Sequence, residues 1–371
     1  MPREKVTSIE KAFRSIQDPR ASNRKHKIQD ILAISLCAVL CGAEGWEDIE
    51  EFGRSNEKWF CSFLELRKGI PSHDTISRLF MLIDPEEFGR MFIEWVKGFR
   101  EEQLPQGVSI DGKTLRSSFD KAAGKSPIHM VSAWAHESGM VLGHQKIHDK
   151  SNEIVAIPQL IALLDLKGCT VTIDAMGCQK KIASAIREAE ADYVLQLKAN
   201  HPSFFENVKY EFRQIGKMLG EGLFFETQEK LHGRFETRKY WVINELNDLP
   251  DVEKWKDLST IIKVSRTREI DNEISEETSY YLSSKALSAE EAAKYIRNHW
   301  GIENKLHWVL DVAFNEDNCN IRKDNAPQNL AIIRHMTVNM LKNEKSLKKG
   351  VKAKRKKAGW DRDYLLKVLC S

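Results

Sequence analysis

The chain has 371 residues, 42% of them hydrophobic and 30% charged, with a formal net charge of +3 at pH 7. With a mean hydropathy of -0.45, those figures exclude a disordered chain or a membrane bundle and leave room for two or three domains. Seven cysteines, odd in number and never in a C-x-x-C pair, exclude a disulfide framework or zinc ribbon and predict a reducing, cytoplasmic setting.

The charged first fifteen residues predict no secretory leader. The longest apolar stretch, ILAISLCAVLCGA from Ile31, is too short for a bilayer span and predicts a buried helix. Residues 1–104 read as a helical domain, with amphipathic segments over 28–43, 46–52, 57–66 and 86–99. Between the last two, Pro71 and Ser72 predict a helix start that shows His73, Asp74 and Arg78 beside buried Ile76, Leu79 and Phe80. That helix is either the DNA-reading half of a helix-turn-helix or an ordinary bundle helix.

After a Pro/Gly boundary near residue 105 the texture turns to strands. A run ending at Asp111, then IHMVSAWAH, a Glu137-Ser138-Gly139 turn and MVLGHQKI predict a three-stranded antiparallel meander. A helix capped by Ser151 or Asn152 comes next, with Ile154, Ile157, Leu160, Ile161 and Leu164 as its apolar face. TVTID, QKKIASAIREAE and DYVLQLK then alternate strand, helix and strand, which implies parallel pairing. This layout over 105–201 predicts the first part of an α/β, ribonuclease H-like core. Residues 202–286 read as a β-rich insertion, and 287–342 as the last part of the core, on a helix started by Ser288 and its acidic neighbours. Residues 343–371 form a basic C-terminal tail. Its stretch Lys342 to Lys357 holds nine Lys or Arg against one Glu, which either neutralises phosphates or is simply solvated.

Two carboxylates stand at strand ends, Asp111 and Asp174, where an Asp serves equally as a cap for the following turn. On the late helix Glu303, His307 and Asp311 recur every four residues and are expected on one face, making Glu303 the third acid and Asp311 its reserve. Three such carboxylates would repel by about 4 kcal/mol per pair at 4 Å and an effective dielectric of 20, so a cation must sit among them. Oxygen-only donors suit Mg²⁺ or Mn²⁺, two ions per site, the clamp of in-line phosphoryl transfer. Lys113, Arg116, Lys198 and His299 are expected to add basic and polar groups near a polyanion.

The segments IDGKTLRSS, KSNEIVAIPQLI, TIDAMGCQKKIA, DYVLQLKAN, HGRFETR and IRNHWGIENKLHWVLDVAFNEDNCNIR together resemble the DDE transposases of bacterial insertion sequences, in the H-repeat-associated branch. The N-terminal stretch DPRASNRKHKIQDILAISLCAVLCGAEGWEDIEEFG resembles the domain associated with that branch. The resemblance runs over residues 8 to 342. It implies a ribonuclease H-like core with an inserted β domain before the last acid, and Mg²⁺-dependent cleavage and joining of DNA. The partners it implies are double-stranded DNA, as terminal inverted repeats and target, and a second copy of the chain, with no membrane and a cytoplasmic, nucleoid-associated location. The separations agree: 174−111 is 63 residues and 303−174 is 129, room for the insertion. The wider signature Y-x-x-R-x-x-x-E-x-x-x-x-x-x-K falls on Ile296, His299, Glu303 and Leu310, so only the acid matches. His299 partly replaces the arginine, and Trp300 is either a stacking platform for a displaced base or core. His232, Arg234, Asn304, Lys305 and Arg322 are the remaining candidates for DNA contact. Two rivals share these residues: a nuclease of the same fold that only hydrolyses nucleic acid, and a domesticated DNA-binding protein without catalysis.

Overall fold

The computed structural model describes residues 11–22, 24–99, 107–119, 124, 126–147, 153–214, 223–231, 233–271 and 273–371. The boundary near residue 105, the candidate caps Ser151 and Asn152, and His232 lie outside the described residues. The N-terminal helices are α1 (Ile28–Cys41), α2 (Trp46–Ser55), α3 (Glu57–Phe60), α4 (His73–Leu82) and α5 (Pro85–Lys97). Then come β1 (Gly107–Leu115), β2 (Ile128–Ala135), β3 (Val141–Ile147), α6 (Glu153–Leu163), β4 (Thr170–Ile173), α7 (Lys180–Glu188), β5 (Asp192–Leu197) and α8 (Pro202–Gln214). The chain continues with β6 (Phe224–Leu231), β7 (Arg234–Ile243), β8 (Thr260–Ile270), β9 (Glu273–Ser283), α9 (Ala289–His299), a π turn (Glu303–His307), α10 (Trp308–Phe314), α11 (Ala326–Asn343), α12 (Val351–Trp360) and α13 (Arg362–Leu369). No single described helix is long and apolar enough to cross a membrane.

Two compact units divide this chain, one of residues 1–103, 112–150 and 303–371 and the other of 104–111 and 151–302. The first is organised around α11, sixteen of whose residues are buried. Polar side chains tie α11 to its neighbours: the amide of Asn339 bonds both the N–H and the carbonyl of Val141 at 2.8 Å, and that of Asn329 caps the carbonyls of Phe80 and Ile83 at the end of α4. Helix α4 starts where its sequence predicts, with the Ser72 hydroxyl accepting from the Thr75 N–H at 3.4 Å and with Ile76, Leu79 and Phe80 buried. Helix α3 is shorter than its pattern implies, because Trp59, Phe60 and Phe63 fold into one aromatic cluster as the chain turns. In the same unit β2 and β3 form an antiparallel hairpin beside the latter half of β1, closed by Gly139 at φ 67°.

The basic C-terminal segment is not a solvated tail. It folds into α12 and α13, and Val351, Lys354, Arg355 and Ala358 point inward at helical spacing. The two buried cations are satisfied by carbonyls, Lys354 on Leu341 and Glu344 and Arg355 on Val39, Ala43 and Ala313. Gly359 lets α12 approach closely, since a Cβ there would meet the Cys41 carbonyl oxygen at 2.8 Å.

In the second unit β1, β4 and β5 are parallel, and β9, β8, β7 and β6 continue the sheet antiparallel, in the order β1-β4-β5-β9-β8-β7-β6. The β-rich stretch thus extends the same sheet through the β5–β9 pairing. Helix α9 begins with a capping box, the Ser288 hydroxyl accepting from the Glu291 N–H at 3.2 Å and the Glu291 carboxylate from the Ser288 N–H at 3.0 Å. Its apolar face, Ala289, Ala292, Ala293 and Ile296, packs on Val194, Tyr240, Val242 and Ile262. Helix α6 buries Ala156, Ile157, Leu160 and Ile161 but leaves Ile154 39% exposed, narrowing the face that its sequence predicts.

Candidate functional site

Strand β1 is buried as far as Ile110 and begins to open at Asp111. Strand β4 is buried throughout and ends at Ile173. Ile110 and Ile173 are register partners, so Asp111 and Asp174 follow at neighbouring positions; only Asp174 ends its strand, because β1 runs on through Asp111 to Leu115. Neighbouring strands lie about 4.8 Å apart, so the two acids occupy neighbouring backbone positions. Oδ1 of Asp174 accepts from the N–H groups of Met176 and Gly177 at 3.1 and 3.3 Å, so this acid also caps its own turn. Gly177 is required there, because a Cβ would lie 2.3 Å from Cγ2 of Ile173. From the end of β5, Asn200 donates to the Ala175 and Cys178 carbonyls at 3.0 and 3.3 Å, and His201 Nε2 bonds that of Cys178 at 2.8 Å. Neither residue stands out in the sequence; the only signal is a polar pair just beyond a strand end.

Two residues upstream of the acids, on the same face, Ser109 and Thr172 are buried register partners whose hydroxyls lie 3.1 Å apart. His299, the last residue of α9, joins both, with Nδ1 2.9 Å from the Thr172 hydroxyl and its carbonyl accepting from Ser109 at 3.2 Å. Burial pushes its imidazole below the ordinary 6.5, against the charge of Asp174, which pulls it up. His299 therefore acts as a neutral pin that fixes the end of α9 across the strands carrying the aspartates. Lys198 is exposed just past β5, and Trp300 is 51% exposed. Arg234 reaches Glu236 at 3.4 Å, a buried carboxylate also held by Arg238 and Arg268.

In the other unit the predicted basic residues are largely committed to the protein. Lys113 Nζ lies 2.5 Å from Asp311, 2.9 Å from Glu316 and 3.4 Å from Asp317, with only 12% of its side chain exposed. Burial lowers its affinity for a proton, and the carboxylates more than offset that, leaving it above the ordinary 10.5. Asp311 is pushed up by burial and by Asp317 and Glu316, despite Lys113. This reserve acid is thus the counter-ion of a lysine. Arg322 donates to the Ser117 carbonyl and Asn320 at 2.9 Å and covers Phe119 at 4.4 Å, a loop-holding role. Arg116 is 79% exposed and reaches Asp317 at 3.3 Å. Glu303, Asn304 and Lys305 are exposed, Lys305 lying 5.7 Å over Trp134. The expected common face of Glu303, His307 and Asp311 is not formed. The π turn breaks the four-residue repeat, leaving Glu303 exposed, His307 buried and Asp311 between.

Among the described residues no three His, Cys, Asp or Glu side chains gather as a metal cage. Asp111 and Asp174 offer two hard oxygen donors, a set that fits Mg²⁺ or Mn²⁺ rather than a soft metal.

Comparison with known proteins places these residues in a family. The transposase DDE domain matches residues 102–340, and the DDE-transposase-associated domain matches residues 10–96. The transposase candidate YncI of Escherichia coli O157:H7 is 44% identical over 355 residues, 94% of this chain and 90% of the relative. The H repeat-associated transposase candidate YhhI of Escherichia coli (strain K12) is 41% identical over 353 residues, 93% of each chain. A cryo-EM structure of the piggyBac transposase synaptic complex with hairpin DNA aligns with 99% of this chain and 77% of its own at a TM-score of 0.44 and 13% identity. The chain belongs to the DDE transposase family, in its H repeat-associated branch.

Proposed function

We infer that this transposase cuts and joins DNA at the ends of its own insertion sequence, with divalent metal as cofactor, on a ribonuclease H-like core. The observation that carries the reading is the pair Asp111, within β1, and Asp174, just past β4, at neighbouring positions of two parallel strands, with the end of α9 joined to both strands through Ser109, Thr172 and His299. The parallel arrangement of β1, β4 and β5, with helices α6 and α7 between the strands in sequence, supports that core. Asp111 and Asp174 would hold the metal, and Glu303 is the third acid by family resemblance alone. Bound there, Mg²⁺ or Mn²⁺ supplies Lewis acidity toward the phosphodiester oxygens. The chain's own part is placement: Gly177 and Asn200 fix the turn behind Asp174, and His299 holds α9 without adding charge. Helix α4, with His73, Asp74 and Arg78 on its outer side, is the candidate reader of terminal repeats, and two copies would hold two ends. Asp111→Asn, Asp174→Asn and Glu303→Gln are each expected to abolish cleavage of element-end DNA in Mg²⁺ or Mn²⁺ while end binding persists. Full cleavage by any one of the three rejects that residue's assignment.

A further inference from the structure

We propose that the outer face of α12 and the loop before it form a second DNA contact, a rigid basic platform that grips phosphates while Trp360 stacks on an unpaired base. The inference rests on the DNA-processing reading above. The inner face of α12 is fixed by Lys354, Arg355 and Gly359, so its outer face is presented in one orientation. On that face and its approach Lys348, Lys349, Lys352 and Lys356 are exposed, with no salt bridge among the described residues. Lys352 and Lys356 are one turn apart, about 6 Å along the axis, so both ammonium groups are presented to one strip of surface. Lys357 differs: it is spent on Asp361 at 3.1 Å and on the Tyr364 ring.

Trp360, at the end of the helix, is 81% exposed, more than any other large apolar side chain among the described residues. Cations alone would suit any anionic partner. An aromatic plane beside them suits nucleic acid, because every base has a face to stack on it and phosphates flank every base. The preformed platform also avoids the ordering cost that a flexible basic tail incurs on binding.

The test uses the full chain and two labelled duplexes, one blunt and one with a single-stranded 3′ extension, with binding read by fluorescence anisotropy over a salt series. Joint replacement of Lys348, Lys349, Lys352 and Lys356 by Gln is expected to weaken binding of both roughly tenfold or more. The slope of log affinity against log salt should fall by about 0.9 for each phosphate contact removed. Trp360→Ala is expected to weaken only the extended duplex, and equal effects on both remove the stacking role. Unchanged affinity and slope in the quadruple variant overturn the platform, as does wild-type binding to phosphatidylserine vesicles in place of DNA. If wild-type protein neither binds nor cuts DNA, the functional reading falls as well. If it cuts and the quadruple variant binds like wild type, only the platform falls.

Discussion

Arg355 is buried to 5% exposure and donates to carbonyls at two helix ends, Val39 at 2.8 Å and Ala43 at 2.9 Å around the end of α1, and Ala313 near the end of α10. Its guanidinium also covers Phe314 at 4.4 Å. Burial pulls its pKa down to about 10, which still leaves it charged at neutral pH. The last carbonyls of a helix lack intrahelical donors, and a cation there meets the negative end of the dipole. Arg355→Met keeps the stem and strands three carbonyls, so a loss of roughly 3–5 kcal/mol is expected in urea unfolding. A loss under about 1 kcal/mol would mean that water replaces the guanidinium. Lys113 carries a similar load: Lys113→Met leaves Asp311, Glu316 and Asp317 facing one another, again at roughly 3–5 kcal/mol. Its salt slope for DNA binding should stay at the wild-type value, because its ammonium is already occupied by carboxylates. A lower slope would restore Lys113 to the DNA-contacting set.

Among the elements, the π turn Glu303–His307 carries the residue proposed as the third acid. Such a turn takes one extra residue into a helix by widening a single turn, so removing that residue restores α geometry and rewinds only the turn itself. Deleting Asn304 is therefore expected to leave far-UV circular dichroism and unfolding nearly unchanged while cleavage drops, because the rewound turn is the one that carries Glu303. Wild-type cleavage by the deletion variant would show that the orientation of Glu303 is immaterial. Nothing in GIENKLHWVLDV announces the turn, because a π turn has no local residue signature; the four-residue repeat of Glu303, His307 and Asp311 reads as regular helix instead. Other signals are plain in sequence. Asp111 and Asp174 end apolar runs, Ser72 and Ser288 cap the helices that their neighbours predict, and Gly139 closes its hairpin. The fold of the basic C-terminal stretch is hidden for a different reason. Its inward positions Val351, Lys354, Arg355 and Ala358 have helical spacing, but two of the four are cations, so the apolar stripe that marks a buried face is broken. Tertiary partners, the carbonyls of distant segments, decide the outcome there.

At the scale of the molecule, the unit built on α11 collects histidines from three separate stretches of chain: His144 from β3, His307 from the π turn and His335 from α11. All three are buried, with Nδ1 of His144 and His335 3.3 Å apart beside the Phe92 ring. Burial lowers each imidazole, to about 4 for His307 and about 3 for His335, with His144 well below its ordinary 6.5. Lys113 and Arg334 face the cluster and reinforce the shift at His335, and Glu316 opposes it at His144 and His307. Each group's pKa is depressed in the folded state, so the unfolded chain binds more protons below pH 6.5. Stability from the three is fully present above that pH and is lost as pH falls toward 4. The slope approaches about 1.4 kcal/mol per pH unit for each histidine. Urea unfolding at pH 7.5, 6 and 5 is expected to show a midpoint that falls steeply between the last two, and His335→Gln should remove about one third of the cluster's share of that slope. An unchanged slope in His335→Gln would assign the acid lability to other groups, because a residue that cannot titrate cannot carry a proton-linked loss. The same burial keeps three neutral rings and one apolar interior together at neutral pH, where the carboxylates Asp111, Asp174 and Glu303 are expected to work.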